Sequence, residues 1–199
     1  EPARPEPLAP SRPDGAGLGP VPHAISPLAG GPGDKRFQRG QLIHALLQHL
    51  PVLSPAERPA AARAWLDRPG HGLAAEAVDA IAEETLAILS HPDLAPLFGP
   101  GSRAEVPLTG LVAGSVVGGL VDRLAVLSDH VLVADFKTNR DPPRTAEETP
   151  VLYLRQMAAY RAVLRAIFPE WPVRCALVWT RAARVAVLPD ALLDAHAPA

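Results

Sequence analysis

The chain has 199 residues, 48% hydrophobic and 20% charged, with 19 Lys plus Arg against 21 Asp plus Glu, enough for one sizeable core and a tail. A net charge of −2 is not that of a free polyanion-binding domain, so any such contact must be local or assisted, and the lone Cys175 excludes an internal disulfide, a Cys-rich zinc site and a four-cysteine iron–sulfur cluster. No apolar run approaches the roughly 20 residues that span a bilayer and no signal-peptide pattern opens the chain, so a soluble intracellular protein is expected, without membrane contact. The start at Glu1 suggests a fragment or a processed product.

Residues 1 to about 34 form a Pro, Gly and Ala tract, with Pro2, Pro5, Pro7, Pro10, Pro13, Gly15, Gly17 and Gly19, that cannot bury enough apolar surface to order itself. It reads as a disordered linker, and residues 35–199 as the domain. A helix is predicted from about Phe37 to Leu50, where Leu42, Ile43, Leu46, Leu47 and Leu50 make an apolar stripe and Pro51 stops it. His44 lies at the edge of that stripe, and Gly40, one turn earlier, leaves room beside it; from this helix alone, His44 is most simply a surface or packing residue like His49.

Ser54-Pro55-Ala56-Glu57 has the form of a capping box with proline at the first helical position, which predicts a second helix to about Asp67. Leu73 to Leu89 reads as a third, amphipathic helix, and Leu94 to Phe98 as a short segment. His71, His91 and Glu83-Glu84 read as loop and surface residues without chemistry. Strands are expected over Glu105 to Thr109, Leu111 to Leu127 and Val131 to Lys137, then a helix from about Pro150 to Phe168, and closing strands over Val173 to Thr180 and Arg184 to Leu188. On the long helix Tyr153, Gln156 and Tyr160 share one face, whereas Leu154, Met157, Leu164 and Ile167 supply an apolar one. A polar-aromatic stripe of this kind serves packing more often than function.

The most informative stretch is Gly119-Leu120-Val121-Asp122 followed by Ala134-Asp135-Phe136-Lys137. If Ser128-Asp129 forms a two-residue loop, Leu127 faces His130 and Asp122 falls opposite Asp135. Two carboxylates so placed repel, and a cation removes the penalty. Alternation puts Lys137 on the face of Asp135 and Phe136 in the opposite layer. Mg²⁺ takes oxygen ligands and keeps several waters, which a lysine can orient. A three-residue loop, Ser128 to His130, would shift the pairing by one. The same residues also admit reading as a solvated salt-bridge cluster; against it, Lys35 and Lys137 are the only lysines, so a generic positive charge here would more often be Arg. Arg140, Arg144, Arg155, Arg161 and Arg165 form the best local basic cluster, diluted by Asp141, Glu147 and Glu148.

At these residues the sequence resembles the PD-(D/E)XK nuclease superfamily, specifically the RecB-like nuclease domain at the C-terminal end of AddA-type helicase-nuclease subunits. Asp135-Phe136-Lys137 matches the D-x-K core. Gly40 to His44 matches the G-x-x-x-H helix, Glu105-Val106-Pro107 the strand-opening glutamate, Gly119 to Asp122 the G-x-x-D piece, and Gln156 to Tyr160 the Q-x-x-x-Y helix. The pieces occur in the family's order, from about Phe37 to Leu188.

The resemblance implies an α/β fold, a restriction-endonuclease-like core whose mixed central sheet is flanked by helices, in the order helix, three strands, helix, strand, with an N-terminal helical extension. It implies a site in which His44, Asp122, Asp135 and the main-chain carbonyl of Phe136 hold Mg²⁺, or Mn²⁺. Lys137 would position or activate a water, Glu105 would accept from a metal-bound water, and Gln156 and Tyr160 would orient the nucleophile or the strand. Arg140, Arg144 and Tyr153 are the candidate DNA contacts. The implied activity is a Mg²⁺-dependent deoxyribonuclease cutting single-stranded DNA delivered by a helicase, in double-strand break resection and recombinational repair in the bacterial cytoplasm. The implied partners are the helicase domains of the parent chain and an AddB-type subunit. That subunit type carries a cysteine-ligated iron–sulfur cluster, whereas one cysteine favours the AddA type. No P-loop pattern occurs, so the motor lies elsewhere. The alternative is a nuclease-fold module that binds DNA or a partner without cutting, although such a module has no chemical reason to keep opposed carboxylates.

Overall fold

A computed structural model describes residues 35–138 and 141–198, with side chains from residue 38 on. The linker expected over residues 1–34, and Arg140, lie outside the described residues. Helix α1 spans Lys35–His49 and passes into a 3-10 turn, Leu50–Val52, at Pro51. Its stripe of Leu42, Ile43, Leu46 and Leu47 is buried, as is Leu50 beyond it. Helix α2, Arg58–Leu66, starts one turn later than the capping box suggests. Glu57 does reach back to the Ser54 amide (3.0 Å), but the Ser54 hydroxyl donates to the same carboxylate (2.6 Å) and caps no backbone amide. Helix α3, Ala75–Leu89, buries Val78, Ile81, Ala82, Thr85, Ile88 and Leu89, the spacing of one helical face. A 3-10 segment, Pro92–Phe98, leads into the sheet.

Strands β1 (Ser102–Val112), β2 (Ser115–Val126), β3 (Val131–Lys137), β4 (Val173–Trp179) and β5 (Arg184–Leu188) lie in sequence order in one five-stranded sheet. All neighbours pair antiparallel except β3 and β4, which run parallel because α4, Val151–Ile167, crosses between them. Helices α1 to α3 cover one face over Ala125, Ala134, Phe136, Ala176 and Val178, where three alanines let helix and sheet approach closely. Helix α4 covers the other over Leu124, Val131, Val133, Cys175, Leu177 and Trp179. The result is the mixed sheet with flanking helices that the resemblance implies. Among the described residues no helix is long and apolar enough to cross a membrane.

Three expectations are corrected. The break between the first two strands is not at Gly110 but at Ala113-Gly114, both at positive φ (47° and 80°), which suits a two-residue hairpin loop. Gly110 stays inside β1 because a Cβ there would stand 2.7 Å from the Val163 side chain on α4. Ile167 is 51% exposed rather than part of the buried face of α4. A short helix not anticipated, α5 at Asp190–Asp194, follows β5. It explains why Arg161 is buried: its guanidinium bonds to Asp190 (2.7 Å) and to Asp194. Arg165 also faces these two carboxylates. Two of the five clustered arginines therefore lock α4 to α5 and do not form a free basic surface.

Candidate active site

The hairpin between β2 and β3 has the two-residue loop. Val126 pairs with Val131, and the Leu127 amide donates to the His130 carbonyl at 2.9 Å. Continuing the register past Arg123 and Ala134 sets Asp122 opposite Asp135. On the other side of β2, the pairs Ala104 with Arg123 and Val106 with Val121 set Glu105 opposite Asp122. Three carboxylates from three adjacent strands thus stand in one row across the sheet.

At this row the regular ladder is interrupted. Glu105 has φ 50°, a left-handed conformation that costs a non-glycine residue about 1–3 kcal/mol. Around it the alternation of faces reverses. Val121 packs in the core under α4, and in a regular strand Arg123 would share its face. Instead Arg123 lies on the α1 side, donating to the Leu47 carbonyl at 2.6 Å and sitting 5.1 Å over the Phe98 ring. Strand β1 reverses in step: Val106 and Leu108 pack toward α4, but the Ser102 hydroxyl bonds to the Leu97 carbonyl on the opposite side. Because β2 and β3 do not continue their ladder at Asp122, its Oδ2 takes the Phe136 amide at 2.6 Å. Its Oδ1 lies 3.4 Å from Nδ1 of His44. Arg123 also satisfies the C-terminal carbonyls of α1, which fixes the helix bearing His44.

Ligand atoms of His44, Glu105 and Asp122 lie within 4.8 Å of one another. One imidazole and two carboxylates suit a divalent cation, and together these residues fit the ion that the resemblance implies. Asp135 stands outside that group. Its carboxylate, 5% exposed as a residue, is paired with the Lys137 ammonium, so the pair is buried and is no solvated surface cluster. Phe136 points to the α1 side, its ring edge-on to His44 with centroids 5.9 Å apart.

From Lys137 a chain of hydrogen bonds runs in one direction. The ammonium donates to Gln156 Oε1 (3.1 Å), Gln156 Nε2 to the Tyr160 oxygen (3.3 Å), and the Tyr160 hydroxyl to the Leu120 carbonyl (3.1 Å). The chain ends two residues before Asp122, so α4 braces β2 and β3, two of the three strands that carry the carboxylates. Tyr153 is buried with its ring 3.9 Å beneath the Lys137 ammonium. Gly119 is required by Tyr160: a Cβ there would lie 2.6 Å from the ring. Gly119→Ala is expected to push the ring aside at a cost of about 1–3 kcal/mol, seen as a Tm lower by several degrees in a thermal melt. An unchanged Tm would mean that the ring tolerates the methyl.

Electrostatics follow from this packing. Burial raises the Asp135 pKa, and the Asp122 charge adds to it, against the opposing pull of Lys137. For Lys137, burial favours the neutral amine, but the Asp135 charge outweighs it and holds the pKa above its ordinary value. The lysine is therefore an ammonium at neutral pH, a donor and not a base. Burial and the neighbouring Asp122 raise Glu105. Burial of the His44 ring works toward a lower pKa, but the hydrogen bond to Asp122 and the charges of Asp122, Asp135 and Glu105 raise it overall.

Of the remaining candidates, the structure places Arg144 on the surface, paired with Glu148 four residues on (3.3 Å), its side chain 90% exposed. Gly40 leaves room, but not for a ligand of His44: a Cβ there would meet Thr138 Oγ1 at 2.8 Å. Glu84 is corrected from a surface residue to a half-buried one, whose side chain is 8% exposed and bonded to Arg39 and Thr180. Its position, between Ile81 and Ile88 on the apolar stripe of α3, is the signal in the sequence: an acid on a buried face needs a partner.

A family model described as the PD-(D/E)XK nuclease superfamily matches residues 20–189. The chain belongs to the PD-(D/E)XK nuclease superfamily. Among solved structures, this superfamily member is similar to a candidate exonuclease from Eubacterium rectale, with 12% identity and a TM-score of 0.53 over 84% of this chain and 64% of that one. It is also similar to the structure of SSO0001, with 17% identity and a TM-score of 0.34 over 81% of each chain. At these identities the first likeness speaks for the fold alone and the second carries no argument. The chain spans 64% of the length of the Eubacterium rectale protein. No curated protein matches.

Proposed function

We propose that this PD-(D/E)XK domain hydrolyses phosphodiester bonds in single-stranded DNA with a divalent cation, Mg²⁺ in the cell, as the nuclease part of an AddA-type helicase-nuclease in double-strand break resection. The observation that carries the reading is the row Glu105, Asp122, Asp135 across three strands, with His44 at one end and a protonated lysine paired at the other. His44, Glu105 and Asp122 would hold the ion; Asp135 and the Phe136 carbonyl are the further ligands. When bound, the ion supplies charge for the scissile phosphate and a water of lowered pKa. Lys137, a fixed donor braced by Gln156 and Tyr160, orients the attacking water or neutralises charge on the phosphate. Arg144 on the surface, and Arg140, are the candidate strand contacts.

Single-stranded substrate and a motor are supported by charge. With a net −2 over the whole chain, no excess of basic residues, and two arginines committed to α5, the domain has little basic surface to grip DNA. Tethering to helicase domains would raise effective concentration, and an AddB-type subunit would complete the assembly in the bacterial cytoplasm. Residues 1–199 should cut labelled single-stranded DNA in Mg²⁺, slowly and at high enzyme concentration, with binding that weakens with salt and little cutting of intact duplex. Asp122→Asn should abolish cutting. DNA binding without cleavage in Mg²⁺ and in Mn²⁺ would instead identify a binding module, and efficient cleavage of blunt duplex would remove the need for a motor.

A further inference from the structure

The Lys137 strand ends against a polar cluster that the proposed chemistry does not use. Glu84 on α3 accepts from Arg39 on α1 and from the Thr180 hydroxyl, at 2.5 Å, just beyond β4. The same Arg39 donates to the Thr138 carbonyl at 3.3 Å, and the Thr180 hydroxyl lies 3.5 Å from the Lys137 carbonyl. Gly40, next to Arg39, brings the α1 backbone directly onto Thr138. Each group has a stake in the site's spacing. Arg39 precedes His44 by five residues on one helix, and Lys137 and Thr138 close the strand that carries Asp135. The β3–β4 ladder ends with the pair Lys137 and Trp179, and just beyond it Arg39 holds the Thr138 carbonyl. A carboxylate with an 8% exposed side chain, lying on the apolar stripe of α3, is costly to bury unless it is paired.

We propose that Glu84 is a positioning residue that, through Arg39 and Thr180, sets the spacing between His44 on α1 and the Asp135–Lys137 end of β3. It touches neither cation nor DNA. The proposal rests on the reading of the site as a metal-dependent nuclease, but it is tested on cation binding as well as on cutting.

The variants are Thr180→Val, which keeps volume and removes the hydroxyl, Thr180→Ser, which keeps the hydroxyl, and Glu84→Gln, which keeps the shape and removes the charge. Asp194→Asn, which weakens the distant α4–α5 lock, serves as a control for general destabilisation. Cleavage of single-stranded DNA is measured per folded molecule at saturating substrate, with Mn²⁺ affinity by titration calorimetry. Misplacement of reacting groups by an ångström can cost on the order of 100-fold in rate, and a partial loosening here should lower kcat about tenfold in Thr180→Val and Glu84→Gln. KM should be unchanged and Mn²⁺ binding should weaken several-fold. Thr180→Ser should keep both near wild type, and Asp194→Asn should lower Tm with neither affected. Wild-type kcat and Mn²⁺ affinity in Thr180→Val and Glu84→Gln would overturn the proposal, as would an equal loss in Asp194→Asn. If the wild type does not cut, the nuclease reading fails, and Mn²⁺ affinity alone then decides the role of Glu84.

Discussion

Saturating Mn²⁺ should raise the melting temperature by about 5–10 °C. A ligand held only by the folded state at about 100 times its Kd contributes about 2.7 kcal/mol, and a domain of this size shifts by about 2–4 °C per kcal/mol. The direction is reinforced by the repulsion among Glu105, Asp122 and Asp135, which the cation relieves. Asp122→Asn should lose most of the shift. Without metal, and above the raised pKa of His44, it should melt no lower than wild type, because the amide oxygen can still accept from the Phe136 amide while one of three like charges is gone and no imidazolium is left to pair with it. The effect should depend on pH. The folded-state pKa values of Asp135, Glu105 and His44 are all raised, from ordinary values of 3.8, 4.5 and 6.5. Folding therefore takes up protons on these groups, and metal-free stability falls as pH rises from the ordinary carboxylate range through the raised pKa of His44. Metal needs them deprotonated, so the Mn²⁺ shift should be larger near about pH 8 than near about pH 5. An equal shift in wild type and Asp122→Asn, or one that shrinks as pH rises, would place the cation elsewhere.

Lys137→Met should fold, bind Mn²⁺ and cut DNA at least about 100-fold more slowly, the loss typical of a positioned electrostatic or proton-transfer group. Methionine fills the space of the lysine stem, and without metal the unpaired Asp135, its pKa already raised by burial, can take a proton, which Mn²⁺ displaces on binding. Lys137→Arg should not rescue cutting. A planar fork cannot stand both on the Tyr153 ring and between Asp135 and Gln156, where a compact ammonium now sits. Single-turnover cleavage with a parallel Mn²⁺ titration separates the chemical step from metal binding. Near-normal single-turnover rates in Lys137→Met would assign the lysine to holding Asp135 in the fold.

Local pattern carried much of this architecture into the sequence. The stripe of α1, the two-residue turn at Ser128-Asp129 and the parity that places Lys137 with Asp135 but Phe136 in the other layer are all properties of neighbours along the chain. So is the opposition of Asp122 and Asp135, which follows from counting outward from that turn. The turn at Ala113-Gly114 was legible in principle, yet Gly110 competed for it. Only α4 shows why Gly110 lies within a strand, since what a glycine makes room for is a residue, Val163, distant in sequence.

What the sequence by itself determined is the order of the candidate groups: Asp122, Asp135 and Lys137 by strand pairing, and His44, Glu105, Gln156 and Tyr160 by the resemblance alone. What the tertiary structure decided is which of these groups meet. The face reversal at Asp122, beside the positive φ of Glu105 on the next strand and held by Arg123 on the carbonyls of α1, turns Asp122 toward His44 and groups it with Glu105 rather than with Asp135. Likewise, the Glu84 side chain becomes buried only because α3, α1 and the end of β4 converge on it. A charge, a strand and a turn are local quantities. Burial and the partner that neutralises it depend on segments far apart in the chain, and are settled only when the layers pack.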